Sequence, residues 1–123
     1  MTVNENNIQY PTDVFLISCG LGCKRIKVSN IAYIEAMRDN CVLHMSDGVD
    51  HTLSCPMCDI ESQLDPIMFV RIHRSFVVNM SYIDIYFYGY VTLTNGVKVN
   101  IGDAYREDLK RLLIFWGSRP RNK

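Results

Sequence analysis

Hydrophobic and polar positions alternate along most of this chain in short runs, each cut off by turn residues. Asp13 to Ser18 (DVFLIS) opens the pattern, CGLG supplies a glycine turn and CKRIKV returns, which predicts a hairpin. Ser29-Asn30 punctuate, and IAYIEAM then predicts a strand with Ile31, Tyr33 and Glu35 on one side. Arg38-Asp39-Asn40 is turn chemistry before the strand CVLHM. Ser46-Asp47-Gly48 turns the chain toward a short strand, DHTLS. Helical spacing first appears from Ser54 to Leu64. There Pro56 fits the first turn, Asp59 and Glu61 favour the N-terminal half, Met57, Ile60, Gln63 and Leu64 repeat at helical intervals, and Asp65-Pro66 ends the run. After it, YIDIYFYGYVTLTNGVKVNI predicts two or three strands with Asn95-Gly96 as a tight turn. A second helix is predicted from Asp103 to Ile114, with Asp103 as cap, Lys110 and Arg111 late, and Leu109, Leu112 and Leu113 as its apolar face. The fold class is mostly β with two short helices (α+β). The expected organisation is a leader over 1–12, one domain over 13–115 and a basic tail over 116–123.

Composition narrows this picture. A 48% hydrophobic content, with seven Tyr and five Phe, supplies a packed core and excludes a disordered chain. No apolar run approaches the roughly 18 residues of a membrane span. The polar start MTVNENNIQYPTD is unlike a secretory signal, so a cytoplasmic protein without membrane insertion is expected. Five cysteines, an odd number, read as reduced thiols, with Cys19, Cys23 and Cys41 acting as small apolar residues in or beside strands. The formal net charge of zero conceals polarity. Residues 1–97 carry six Lys/Arg against ten Asp/Glu (−4), and residues 98–123 carry seven against three (+4).

The segment FVRIHRSFVVN interrupts a core-quality run with Arg71, His73 and Arg74. In an extended Phe69–His73, Val70 and Ile72 face inward while Arg71 and His73 point away. Ser75 is placed to cap a short helical turn through Phe76-Val77-Val78. That leaves Arg74 outside a helix N-terminus, suited to a phosphate or, by its fork, to a guanine edge. Ordinary solvated charges framing a core strand are the alternative.

The run IAYIEAMRDNCVLHMSDG, the helix ending IESQL, the block FVRIHRSFVVNMSYI, then LTNGVKVNI and a final helix resemble the LytTR family of DNA-binding domains of bacterial transcription regulators. The resemblance covers roughly residues 14–114. It implies an arrangement of short antiparallel β-sheets with a C-terminal helix, whose loops enter the grooves of duplex DNA. The first loop maps to Arg38, Asp39, Asn40 and Cys41, where Arg38 suits a phosphate and Asn40 a base edge. The second maps to His73, Arg74 and Ser75, with His73 alternatively a brace. The third departs from the family: Gly102-Asp103 stand where a Ser-Arg pair is common. An aspartate there repels phosphates, and Arg106, one turn on, is the candidate substitute. The basic end Arg119, Arg121 and Lys123 is expected to add affinity. Receiver domains commonly precede such domains, and the few residues ahead of this one predict a stand-alone regulator. Its expected partner is double-stranded DNA at direct or repeated sites, with a homodimer on DNA and a regulatory protein partner allowed for. A protein-interaction module that kept the fold and lost DNA binding is the competing expectation.

Cys55-Pro56-Met57-Cys58 has CxxC spacing, and with His51 it makes three quarters of a zinc site whose fourth ligand would be His44 or Cys41. A βαβ context is missing, so a helix start with incidental thiols is the expectation, with no metal and no cofactor. No hydrolase elbow, phosphate loop or paired-carboxylate pattern is visible, and no enzyme is expected. Tyr82, Tyr86, Phe87, Tyr88 and Tyr90 read as core plus a partial interaction surface.

Overall fold

Ten short strands in three antiparallel sheets account for the alternation across residues 13–117, which the computed structural model describes. Strands β1 (Val14–Cys19) and β2 (Gly22–Lys27) form a hairpin. Strands β3 (Ile31–Met37), β4 (Asn40–Met45), β5 (Asp50–Leu53), β6 (Phe69–His73) and β7 (Phe76–Asn79) make a five-stranded sheet in the order β5-β4-β3-β7-β6. Strands β8 (Ile83–Tyr86), β9 (Tyr90–Leu93) and β10 (Lys98–Asn100) make the third sheet. Helix α1 (Met57–Glu61) links β5 to β6. Helix α2 (Arg106–Arg111) follows a 3-10 turn at Asp103–Tyr105. Among the described residues, no helix is long and apolar enough to cross a membrane.

The β3-β7-β6 part of the five-stranded sheet packs on both faces, so β7 reads as a nearly continuous apolar run, while β5 at the other edge has no buried residue. One face packs Ile31, Ile34, Leu43, Phe69 and Val77 against α1 and the first hairpin. The other packs Val70, Ile72 and Val78 against the third sheet and Leu109 of α2. Asn79, fully buried, joins these layers: its amide donates to the Ile31 carbonyl at 2.9 Å and the Ser29 carbonyl at 3.3 Å, and its Oδ1 accepts from the Ser81 N–H at 2.9 Å.

Several local expectations are corrected. Phe76-Val77-Val78 is strand, not a helical turn capped by Ser75. Val77 and Val78 pair with Ile34 and Tyr33 of β3, and this distant ladder outweighs the capping signal. A bulge between Ile31 and Tyr33 breaks the alternation of β3, sending Ile31 and Ile34 to one core and Ala32 and Tyr33 to the other. Helix α1 is five residues rather than eleven, with Pro56 preceding it and Gln63 exposed. The final helix ends at Arg111, and no side-chain cap by Asp103 forms. Cys19 and Cys23 are exposed beside the hairpin turn, while Cys41 is core. The leader 1–12 and the tail residues Arg119, Arg121 and Lys123 lie outside the described residues.

Candidate nucleic-acid interface

Three turns converge at one end of the five-stranded sheet. Strands β3 and β7 run antiparallel with Glu35 opposite Phe76, so the end of β3 and the start of β7 share that end. The Ala36 N–H donates to the Ser75 carbonyl at 2.8 Å, tying the β6–β7 turn to β3. The Gly102 N–H donates to the Ile72 carbonyl at 2.8 Å, bringing the segment before α2 alongside β6. The residues of all three mapped loops are therefore brought together.

The β3–β4 turn is a two-residue hairpin with Arg38 at its first central position and φ of 59°. The first hairpin places Gly20 at the corresponding position with φ of 58°, the ordinary residue for that backbone. An arginine held there carries left-handed strain of about 1 kcal/mol. Its side chain is exposed and has no hydrogen bond or ion pair among the described residues. Asn40 is exposed beside it with its amide unengaged in the same sense. Cys41 is corrected: it faces the core with no exposed surface, because β4 alternates Cys41, Leu43 and Met45 inward. Burial first, then the neighbouring Cys55 thiol and the Asp59 carboxylate, pushes the Cys41 thiol up to about 11.

The β6–β7 turn displays Arg74 at its tip, exposed and without a side-chain partner among the described residues. Its neighbours build the turn. His73 Nδ1 accepts the Ser75 N–H at 3.0 Å, which in the neutral ring leaves the proton on Nε2. The His73 ring packs on Phe76 with centroids 5.3 Å apart. Arg71, which the sequence offered only as an outward charge, donates through Nη1 to the Arg74 carbonyl at 2.9 Å and through Nη2 to Glu61 of α1 at 2.6 Å. The mapped residues thus divide between a presented group, Arg74, and a frame of His73 and Ser75, to which the structure adds Arg71.

The third segment is packed against the second. A Cβ on Gly102 would meet the Tyr105 ring at 3.2 Å and the His73 Cα at 3.6 Å, so a serine there requires Tyr105 to move. Asp103 does not cap a helix; its Oδ1 accepts from Arg106 Nη2 at 2.8 Å. The Arg106 Nε donates to the Tyr88 carbonyl at 3.1 Å, and the guanidinium lies 4.3 Å over the Tyr88 ring. Arg106 is therefore engaged on three sides, unlike Arg38 and Arg74. Tyr88, in the β8–β9 turn, belongs to this site. The density of aromatic residues from Tyr82 to Tyr90 gave a hint in the sequence, but the pairing of Tyr88 with a residue eighteen positions away gave none.

The CxxC thiols are split, Cys55 half-buried and Cys58 exposed. Both ring nitrogens of His44 are taken, by Asp50 at 2.8 Å and Glu35 at 2.9 Å. Among the described residues, no cluster of three or more His, Cys, Asp or Glu is arranged to hold a metal. Of the tyrosines, Tyr82 and Tyr86 pack on the second core, while Tyr88 stays exposed.

Residues 22–114 match the LytTr DNA-binding domain family. The transcriptional regulatory protein LytR of Staphylococcus aureus (strain N315) is 33% identical over 90 residues, covering 69% of this chain and 36% of that protein. LytR of strain COL gives the same figures. The chain thus spans about a third of the length of these curated relatives. A solved LytTr DNA-binding domain from Bacillus cereus aligns with a TM-score of 0.74 at 23% identity, covering 85% of this chain and 100% of that one, which is a likeness of fold.

Proposed function

The chain belongs to the LytTr DNA-binding domain family, and on that premise we propose that it is a transcription regulator docking the three-turn end of its central sheet onto duplex DNA. Arg74 carries this reading. Its guanidinium, without a partner among the described residues, is presented on a turn fixed by Arg71, His73 and the Ala36 N–H, the preorganised donor geometry that a guanine edge or a phosphate requires. Arg38 supplies a second cation, likewise without a partner among the described residues, suited to phosphate, and Asn40 an amide that can bridge an adenine edge. His73 and Ser75 act mainly by holding the turn, with the His73 Nε2–H as a donor to the backbone. Two copies on a repeated site, and a regulatory protein partner, complete the proposal.

Selection from a random duplex pool tests it. A regulator of this kind returns a defined sequence and loses affinity steeply as salt rises, because cations on phosphates release counterions. The competing interaction module is favoured by Asp103, and it returns no enriched duplex.

A further inference from the structure

The acid at the third turn is a reader, not an obstacle: we infer that Asp103 accepts a hydrogen bond from a cytosine amine in the major groove, with Arg106 neutralising it. This rests on the duplex-binding reading above. A carboxylate and a phosphate are both acceptors, so Asp103 has no favourable role against the DNA backbone. Base edges differ. Guanine presents two acceptors in the major groove, thymine an acceptor and a methyl, and adenine an amine beside the N7 acceptor. Cytosine alone offers a donor without an adjacent acceptor, which makes it the preferred edge for a group that only accepts.

The local geometry fits that use. The Asp103 side chain is 94% exposed, while that of Arg106 is 15% exposed. Arg106 holds Oδ1 at 2.8 Å, and Oδ2 is unpartnered among the described residues. Arg106 cannot swing away freely, because the Tyr88 carbonyl and ring fix it from the other side. The result is a locally neutral pair with one oriented acceptor pointing outward. It sits next to the Arg74 turn, since the Gly102 N–H is bonded to Ile72 and Gly102 lies against His73. Tyr88 and Arg106 are thereby positioning residues for Asp103.

The test is parallel selection from one random duplex pool by the wild-type protein, Asp103→Asn and Asp103→Ala, with thermal melts confirming that all three fold. Wild type is expected to enrich cytosine at one position near the Arg74 contact. Asp103→Asn should move that position toward adenine, whose N6 and N7 suit an amide. Asp103→Ala should flatten it, with a roughly five- to tenfold loss of discrimination there and the other positions kept. The same selected sequence for all three proteins overturns the inference, as does tighter binding of every sequence by Asp103→Ala, which would make the acid merely repulsive. If wild type enriches no sequence at all, the duplex-binding reading fails and takes this inference with it.

Discussion

Arg71 donates to the backbone carbonyl of Arg74 at 2.9 Å while it grips Glu61 at 2.6 Å, so one arginine of FVRIHRSFVVN shapes the turn that displays the other. Replacing Arg71 by methionine keeps much of the packing and removes both bonds. A loss of about 1–2 kcal/mol in stability is expected, the scale of charge-assisted hydrogen bonds at a partly exposed site. Specific DNA affinity should fall as well, although Arg71 is already paired. Arg71→Lys should not restore it, because an ammonium lacks the fork that bridges Glu61 and the carbonyl. Denaturant melts and a binding titration on the same preparations check both parts.

Arg38 trades stability for presentation. Arg38→Gly relieves the left-handed backbone at φ 59°, a gain of about 1 kcal/mol that the added freedom of the unfolded chain offsets by about 0.4–1 kcal/mol, so stability should hold or rise by up to about 0.5 kcal/mol. The same change removes from the candidate interface a cation that has no partner among the described residues, and should weaken duplex binding. Loss of both stability and affinity would mean that the side chain is structural.

Asn79 is the buried polar tie between the two cores. Asn79→Ala leaves the Ile31 carbonyl and the Ser81 N–H unpartnered, and a destabilisation of about 2–4 kcal/mol is expected. Urea unfolding reads this directly, and a change under 1 kcal/mol would show that water or a backbone shift compensates.

The Cys41 thiol gives a pH signature. Its folded pKa of about 11 lies above the ordinary value of 9.0, so the folded state keeps a proton that the unfolded state releases. Its contribution is fully present below about pH 9 and is lost as pH rises through 11, amounting to at most about 2–3 kcal/mol. Stability measured at intervals from pH 8 to 11 should fall across that window, and the decline should lessen in Cys41→Ala after correction for its lower starting stability.

What was legible in the sequence was local. Alternation and turn residues located the strands, Asn95-Gly96 and Gly20 marked hairpins, and the block around Arg74 stood out as charge inside a core segment. Readings that failed depended on distant partners. Ser75 followed by Phe76 has the look of a capped helix until β3 supplies a ladder. Asp103 has the look of a cap until Arg106, fixed by Tyr88 from another sheet, claims its oxygen. Arg71 was visible as a charge, but its role required Glu61 on α1, ten residues earlier. Cys41 faces inward with Leu43 and Met45, an orientation that Val42 on the opposite face leaves undecided in the sequence and that the pairing of β4 with β3 fixes.

The most direct measurement compares wild type with Arg74→Ala on the selected duplex over a range of salt concentrations, with melts establishing equal folding. A base-edge contact predicts about 1–3 kcal/mol of lost specific affinity for Arg74→Ala. A phosphate contact predicts that the salt slope becomes shallower by about 0.9. Either change places the guanidinium at the DNA. Affinity and slope both unchanged would contradict the account at its centre.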